Sequence, residues 1–165
     1  MIDSQSVKTL EGGEARGVDV PEQVSGRKRH LVVDTLGLLL LDLVHSAGLP
    51  NGNGDKLARR ALFERIKRSV YNRGCRLKLI WADGGYRGEL VDWVKRTLGW
   101  TLEIVAKLGD QVGFQVLRKR WIVERTTAWL QNYRRVLVRH ERLLTTYRAF
   151  VVLACMMIAL GALSK

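Results

Sequence analysis

The chain has 165 residues, enough for one domain with a continuous core. A hydrophobic fraction of 47% excludes a disordered tail, and two cysteines with no histidine at zinc spacing exclude a disulfide scaffold or zinc ribbon. With 28 Lys and Arg against 16 Asp and Glu, the net charge of +12 points to a polyanionic partner, nucleic acid before an anionic membrane surface.

Residues 2–7 predict a short strand. Residues 10–26 hold Gly12, Gly13, Gly17, Pro21, Ser25 and Gly26 among charges, which predicts a mobile loop. Arg29–Thr35 and Leu38–His45 are β-rich runs, joined by Thr35-Leu36-Gly37 as a hairpin turn. A break over residues 50–55 precedes a helix over 56–72. Leu57, Ala61, Ile66 and Val70 are expected inside it, and Lys56, Arg59, Arg60, Arg65, Lys67 and Arg68 largely outside. Leu77–Ala82 is the fourth strand, Arg87–Leu98 a helix ending near Gly99, and Thr101–Val105 the fifth strand. A polar loop over 107–118 leads to a helix over 120–136, and a last helix covers 145–163.

The apolar run Ala149–Leu163 spans 15 residues. A bilayer crossing takes roughly 20, so the run reads as a buried or partner-facing helix and no membrane partner is expected. Cys75 and Cys155 each sit in an ordinary element, which suits a reducing cytosol. Asp3 falls where an apolar leader would run. Three leading strands that can form a meander, followed by alternating helix and strand, predict one α/β domain over residues 1–165. Its mixed five-stranded sheet would be flanked by helices, which is the ribonuclease H-like arrangement.

The most informative stretch is Leu77–Ala82 followed by Asp83 and Gly84-Gly85. A carboxylate at the end of a buried strand, before a glycine turn, projects charge from a rigid floor. In so basic a chain, such an acid suits a site that holds hard cations against phosphate. Magnesium takes oxygen ligands and needs few protein carboxylates, because water and phosphate fill its other positions. Two or three acids from separate elements therefore suffice, and two-ion sites space the ions about 4 Å apart. Asp3 on the first strand can meet Asp83 if those two strands are neighbours in the sheet, and Glu124 on the helix over 120–136 could lean over the sheet to complete such a site. Among other acids, Asp34 beside the hairpin turn reads as structural, Asp42 as marking the exposed face of its strand, and Asp92 as lying on a helix's polar side. His30 and His45 read as strand residues rather than catalytic bases.

Arg118, Lys119, Arg120, Arg125, Arg134, Arg135, Arg139 and Arg142 crowd one stretch opposed only by Glu124 and Glu141. Charge so one-sided favours phosphate contact over a solvated helix face. The tryptophans at 81, 93, 100, 121 and 129 are core residues by default, while Trp121 and Trp129 lie where they could stack on an unpaired base.

Five segments occur in a telling order: Ile2-Asp3-Ser4-Gln5-Ser6-Val7-Lys8, Gly26-Arg27-Lys28-Arg29-His30, Val33-Asp34-Thr35-Leu36-Gly37, Ala82-Asp83-Gly84-Gly85-Tyr86 and Trp121-Ile122-Val123-Glu124-Arg125-Thr126. Together they resemble the catalytic domain of bacterial insertion-sequence transposases of the DDE class, over nearly the whole chain. The resemblance implies a ribonuclease H-like fold, with Asp3, Asp83 and Glu124 as the catalytic triad on two Mg2+ ions, Mn2+ substituting. It implies cleavage at transposon ends and strand transfer into target DNA. It also implies a homo-oligomer on DNA, in the bacterial cytoplasm and associated with the nucleoid.

Two departures qualify it. The family shows Tyr-x2-Arg-x3-Glu-x6-Lys around its last acid. Here Arg120 and Glu124 fit, but Leu117 and Gln131 stand at the tyrosine and lysine positions, with Arg134 or Arg135 as partial substitutes. The family also carries a DNA-binding region before its first acid, so this chain resembles the downstream half, truncated or paired with an upstream-frame partner or fusion. Two alternatives stay open: a catalytically inactive DNA-binding or subunit-binding remnant that modulates the full transposase, and a ribonuclease H-like nuclease such as a junction resolvase.

Overall fold

The computed structural model describes residues 1–9, 13–20, 22–48, 53–71, 77–105, 119–138 and 140–164. Strand β1 (Ile2–Lys8) lies inside the sheet, with hydrogen-bonded neighbours on both sides. Two further strands precede the hairpin turn: β2 (Gly17–Asp19) and β3 (Val24–Val33). β3 runs antiparallel to β1, setting Asp3 opposite Leu31 and Ser4 opposite His30. β4 (Leu39–Ser46) and β2 both pair antiparallel with the other edge of β3. Beyond β1 come β5 (Leu79–Ala82) and β6 (Thr101–Ile104), paired in parallel. The path is β2-β3-β1-β5-β6, with β4 also on β3. An antiparallel meander continued by parallel strands is the mixed α/β sheet expected of a ribonuclease H-like fold.

The sheet has six strands because β2 forms within the segment expected to be a loop. β3 starts at Val24 rather than Arg29 and carries that pairing. Gly26 explains the misreading. A Cβ there would lie 1.9 Å from the Val7 carbonyl oxygen, so this glycine lets two backbones close up within a strand instead of ending it. The basic run beside it also turns inward: Arg27 and Arg29 are buried, Arg27 donating to the carbonyl of Arg142 at 3.1 Å and Arg29 to the Tyr147 hydroxyl at 3.2 Å.

Side-chain alternation sorts the strands onto two cores. Ile2, Val32, Ile80 and Ala82 face α1 (Asn53–Tyr71) and α2 (Glu89–Leu98), packing on Leu62, Phe63, Ile66, Leu90 and Val94. The inward stripe of α1 is thus Leu62, Phe63 and Ile66, and the expected Leu57 and Ala61 are exposed. Val70 lies outside the described side chains. The phase differs because Arg59 and Arg60, expected outside, cover the rings of Tyr86 and Trp93.

On the other face, Met1, Val7, Leu31, Val33 and Val44 pack against three helices. These are α3 (Arg120–Gln131), α4 (Arg134–Leu137) and α5 (Leu144–Leu163). One helix was expected over 120–136. The chain instead breaks at Asn132, whose amide reaches Leu130 and Trp129 carbonyls, and Tyr133 is extended. Leu130 and Val136 would lie roughly 120° apart on one straight helix, on different faces. The break lets both be buried.

α5 is longer than its apolar run, because Leu144 to Arg148 continue the helix. By length and composition it is apolar enough to cross a membrane. It nevertheless docks on the sheet through Tyr147, Val151, Ala154 and Cys155. Arg148 pins it by a fork onto Asp42, at 2.9 and 3.1 Å. Asp42 is therefore buried rather than marking an exposed strand face, an inward carboxylate explained by its arginine partner.

Candidate active site

Ile2 and Ala82 are the registered pair of the β1–β5 contact, and both are fully buried on the α1–α2 side. Parallel neighbours alternate in phase, so the residues that follow, Asp3 and Asp83, share the opposite side of the sheet. That is the side α3 covers with Ile122, Val123 and Leu130. Asp83 ends its strand extended, and its carboxylate accepts from the Gly85 amide at 3.2 Å, capping a 3-10 turn over Gly84–Tyr86. Asp3 accepts from the Ser4 amide at 2.9 Å.

Burial pushes the Asp3 carboxyl up to about 6, and the neighbouring charge of Asp83 pushes the same way. The Ser4 amide and Arg120 pull against them, and Glu124 adds a further upward push. The three acids therefore feel one another across the sheet–helix boundary. Their side chains do not yet converge. Glu124, 55% exposed, forms an ion pair with Arg120 at 2.8 Å, one turn back on α3. Among the described residues, no three acid, histidine or cysteine side chains gather as a ready ligand set. Asp3 and Asp83 fit a hard cation by donor chemistry and by the unfavourable charge it would relieve. Glu124, with Oε1 paired to Arg120, lies within electrostatic reach of Asp3.

The basic and aromatic residues divide into two groups. Arg125 lies between Trp121 and Trp129, 4.7 and 4.6 Å from their ring centroids, and donates to the Leu36 carbonyl at 2.6 Å. Beside it, the Thr126 hydroxyl donates to the Gly37 carbonyl at 2.7 Å. Together they clamp α3 onto the β3–β4 turn, whose Asp34 carboxylate accepts the Leu36 and Leu38 amides, both at 2.8 Å. Asp34 is structural, as expected. Lys119 sits 3.8 Å over Trp81, whose indole donates to Glu103 at 2.9 Å. Arg134 and Arg135 are exposed, Arg135 paired with Glu141 at 2.6 Å. Trp121 keeps 45% exposure. Arg118, Arg139, Leu117 and Cys75 lie outside the described residues.

Sequence reasoning missed a buried polar group behind Asp83. His30 contacts the Tyr86 hydroxyl at 2.5 Å and His45 at 2.7 Å. No local signal paired them: the turn at 35–37 alone would set residue 30 opposite 42, and the register shift between Val32 and Val33 is what brings His45 diagonally beside His30 on one face.

The fold and the acid pair define a class, a ribonuclease H-like α/β protein with carboxylates on adjoining strands. Residues 1–159 match the family described as Transposase DDE domain, and the chain belongs to that family. It is 31% identical over 143 residues to the putative transposase for insertion sequence element IS402 of Burkholderia cepacia. That match covers 85% of this chain, which spans 65% of the relative's length. No solved structure matches the chain. The resemblance read from five short segments is thereby established at the level of family.

Proposed function

We propose that this chain is the catalytic domain of an insertion-sequence DNA transposase. It hydrolyses a phosphodiester at the transposon end and then directs the freed 3′-hydroxyl onto target DNA. The observation that carries this reading is the placement of Asp3 and Asp83 side by side beyond the Ile2–Ala82 pair, under the helix that bears Glu124. Two bound Mg2+ or Mn2+ ions would activate the attacking oxygen and stabilise the leaving one.

The chain's own residues do the rest. Asp3 and Asp83 hold the cations from two adjoining strands. Arg120 keeps Glu124 in reserve at 2.8 Å and neutralises phosphate when Glu124 turns toward the acids. Lys119, Arg134, Arg135 and Arg118 meet the DNA backbone, which fixes position without reading sequence. Arg125 serves that surface indirectly, by holding α3 on the turn and backing Trp121, whose open side is available for a base. The acting form is an oligomer on DNA, in the bacterial cytoplasm at the nucleoid.

Asp83→Asn should abolish Mg2+-dependent nicking of end-containing DNA, with dichroism and general DNA binding unchanged. Undiminished nicking would refute the assignment. One observation favours a second reading. Glu124 is paired with Arg120 rather than turned to the aspartates, as suits a non-catalytic DNA-binding remnant. A wild-type chain that binds ends but never nicks them with Mg2+ or Mn2+ would decide for the remnant. A nuclease would nick without joining strands.

A further inference from the structure

β1 and β5 share a single registered pair, Ile2 with Ala82. So little backbone pairing leaves the spacing of Asp3 and Asp83 weakly fixed by the sheet. The turn after Asp83 is held from another direction. Tyr86, fully buried, closes that turn, and its amide bonds back to the Asp83 carbonyl at 3.2 Å. Its hydroxyl lies 2.5 Å from Nδ1 of His30, which is fully buried on β3 and stands opposite Ser4, the residue next to Asp3. Nε2 of His30 lies 2.7 Å from Nε2 of His45, and Nδ1 of His45 lies 2.8 Å from the Ser46 carbonyl. Arg59 of α1 donates to the Gly85 carbonyl and covers the Tyr86 ring at 5.1 Å.

The hydrogen bonds have one consistent direction when both rings are neutral. A carbonyl only accepts, so His45 carries its proton on Nδ1 and offers a bare Nε2. His30 donates to it and leaves Nδ1 to accept the tyrosine hydroxyl. Burial, then the charges of His45, Arg59 and Lys28, hold His30 well below its ordinary range, which keeps it neutral. Packing alone does not call for this arrangement. Phenylalanine would fill the same apolar space, and a buried hydroxyl and imidazole are tolerated where they are hydrogen-bonded, as these are to each other.

We propose that Tyr86 and His30 are positioning residues that fix Asp83 relative to Asp3 by anchoring the Asp83 turn to β3. The proposal deepens the reading of the two aspartates as cation holders and rests on it. The hydroxyl–imidazole bond spans from the end of β5, over β1, to β3. It thereby ties together the two strand ends that a single backbone pair leaves loose.

The test uses the whole chain without DNA and reads amide hydrogen exchange and Mn2+ binding by electron paramagnetic resonance. In Tyr86→Phe, exchange at Gly85, Tyr86 position and Arg87 should quicken roughly fivefold, as for loss of one buried hydrogen bond. Mn2+ affinity should fall about tenfold, the scale seen when a ligand's supporting contact is removed. Exchange in β1 and β3 should not change. His30→Leu should behave like Tyr86→Phe, while His30→Asn, whose Oδ1 can replace Nδ1 as acceptor, should restore both readouts. Unchanged turn exchange in Tyr86→Phe, or His30→Asn as impaired as His30→Leu, would overturn the positioning role. A wild-type chain that binds no Mn2+ would instead overturn the reading of the aspartates, and the exchange data would tell the two failures apart.

Discussion

Asp3 is the residue at which stability and the proposed cation-holding role oppose each other. Its carboxyl sits near 6 in the fold against an ordinary 3.8, chiefly through burial and Asp83. Below pH 4 the group is protonated in folded and unfolded chains alike and costs nothing. Between pH 4 and 6 the unfolded chain releases the proton while the fold retains it, so stability falls as pH rises. Above pH 6 the full penalty stands, on the order of 3 kcal/mol. Without divalent ions, Asp3→Asn should therefore melt higher than wild type at pH 7 and about equally at pH 4. Mn2+ should narrow the gap at pH 7 by stabilising the wild type alone. Equal melting of the two proteins at pH 7 would show that Asp3 carries no such strain.

At the scale of elements, α3 is placed by the β3–β4 turn, and that placement aims Glu124. Gly37 adopts a positive φ of 84°, and a Cβ there would stand 2.9 Å from the Thr126 hydroxyl. Gly37→Ala should destabilise the fold by about 2 kcal/mol, from backbone strain and loss of the clamp, as read from the urea midpoint. Thr126→Val should cost about 1 kcal/mol through the lost bond to the Gly37 carbonyl. Five of the six strands and this turn were legible in the sequence, because alternation and turn chemistry are local. Asp83 was legible for the same reason, as a charge ending an apolar run before two glycines.

What escaped depended on partners distant in the chain. Asp42 looks like a surface acid until Arg148 arrives from α5, and Arg59 looks solvated until Tyr86 lies beneath it. The end of α3 at Gln131 follows from where Leu130 and Val136 must point, which no helical periodicity announces. β2 was hidden because Gly26 resembles a loop residue and acts as a strand one. The ion pair of Glu124 with Arg120 was legible as a local spacing.

For the whole molecule, the net charge of +12 overstates the surface open to DNA. Arg27 and Arg29 are buried, Arg125 is stacked between tryptophans, and Arg148 is spent on Asp42. Arg134 is exposed and stands near the start of α4. Arg134→Ala should weaken DNA binding across sequences and lower the slope of log affinity against log salt by about one, with melting unchanged. Arg125→Ala should do the reverse, lowering melting first, because its guanidinium holds α3 to Leu36. A salt slope unaltered by Arg134→Ala would remove that residue from the DNA surface.

The most direct measurement is anomalous scattering from Mn2+ in crystals of the chain with transposon-end DNA. The account predicts manganese between the carboxylates of Asp3 and Asp83, with Glu124 released from Arg120 to join them. Manganese bound elsewhere, with those two aspartates free of metal, would contradict it.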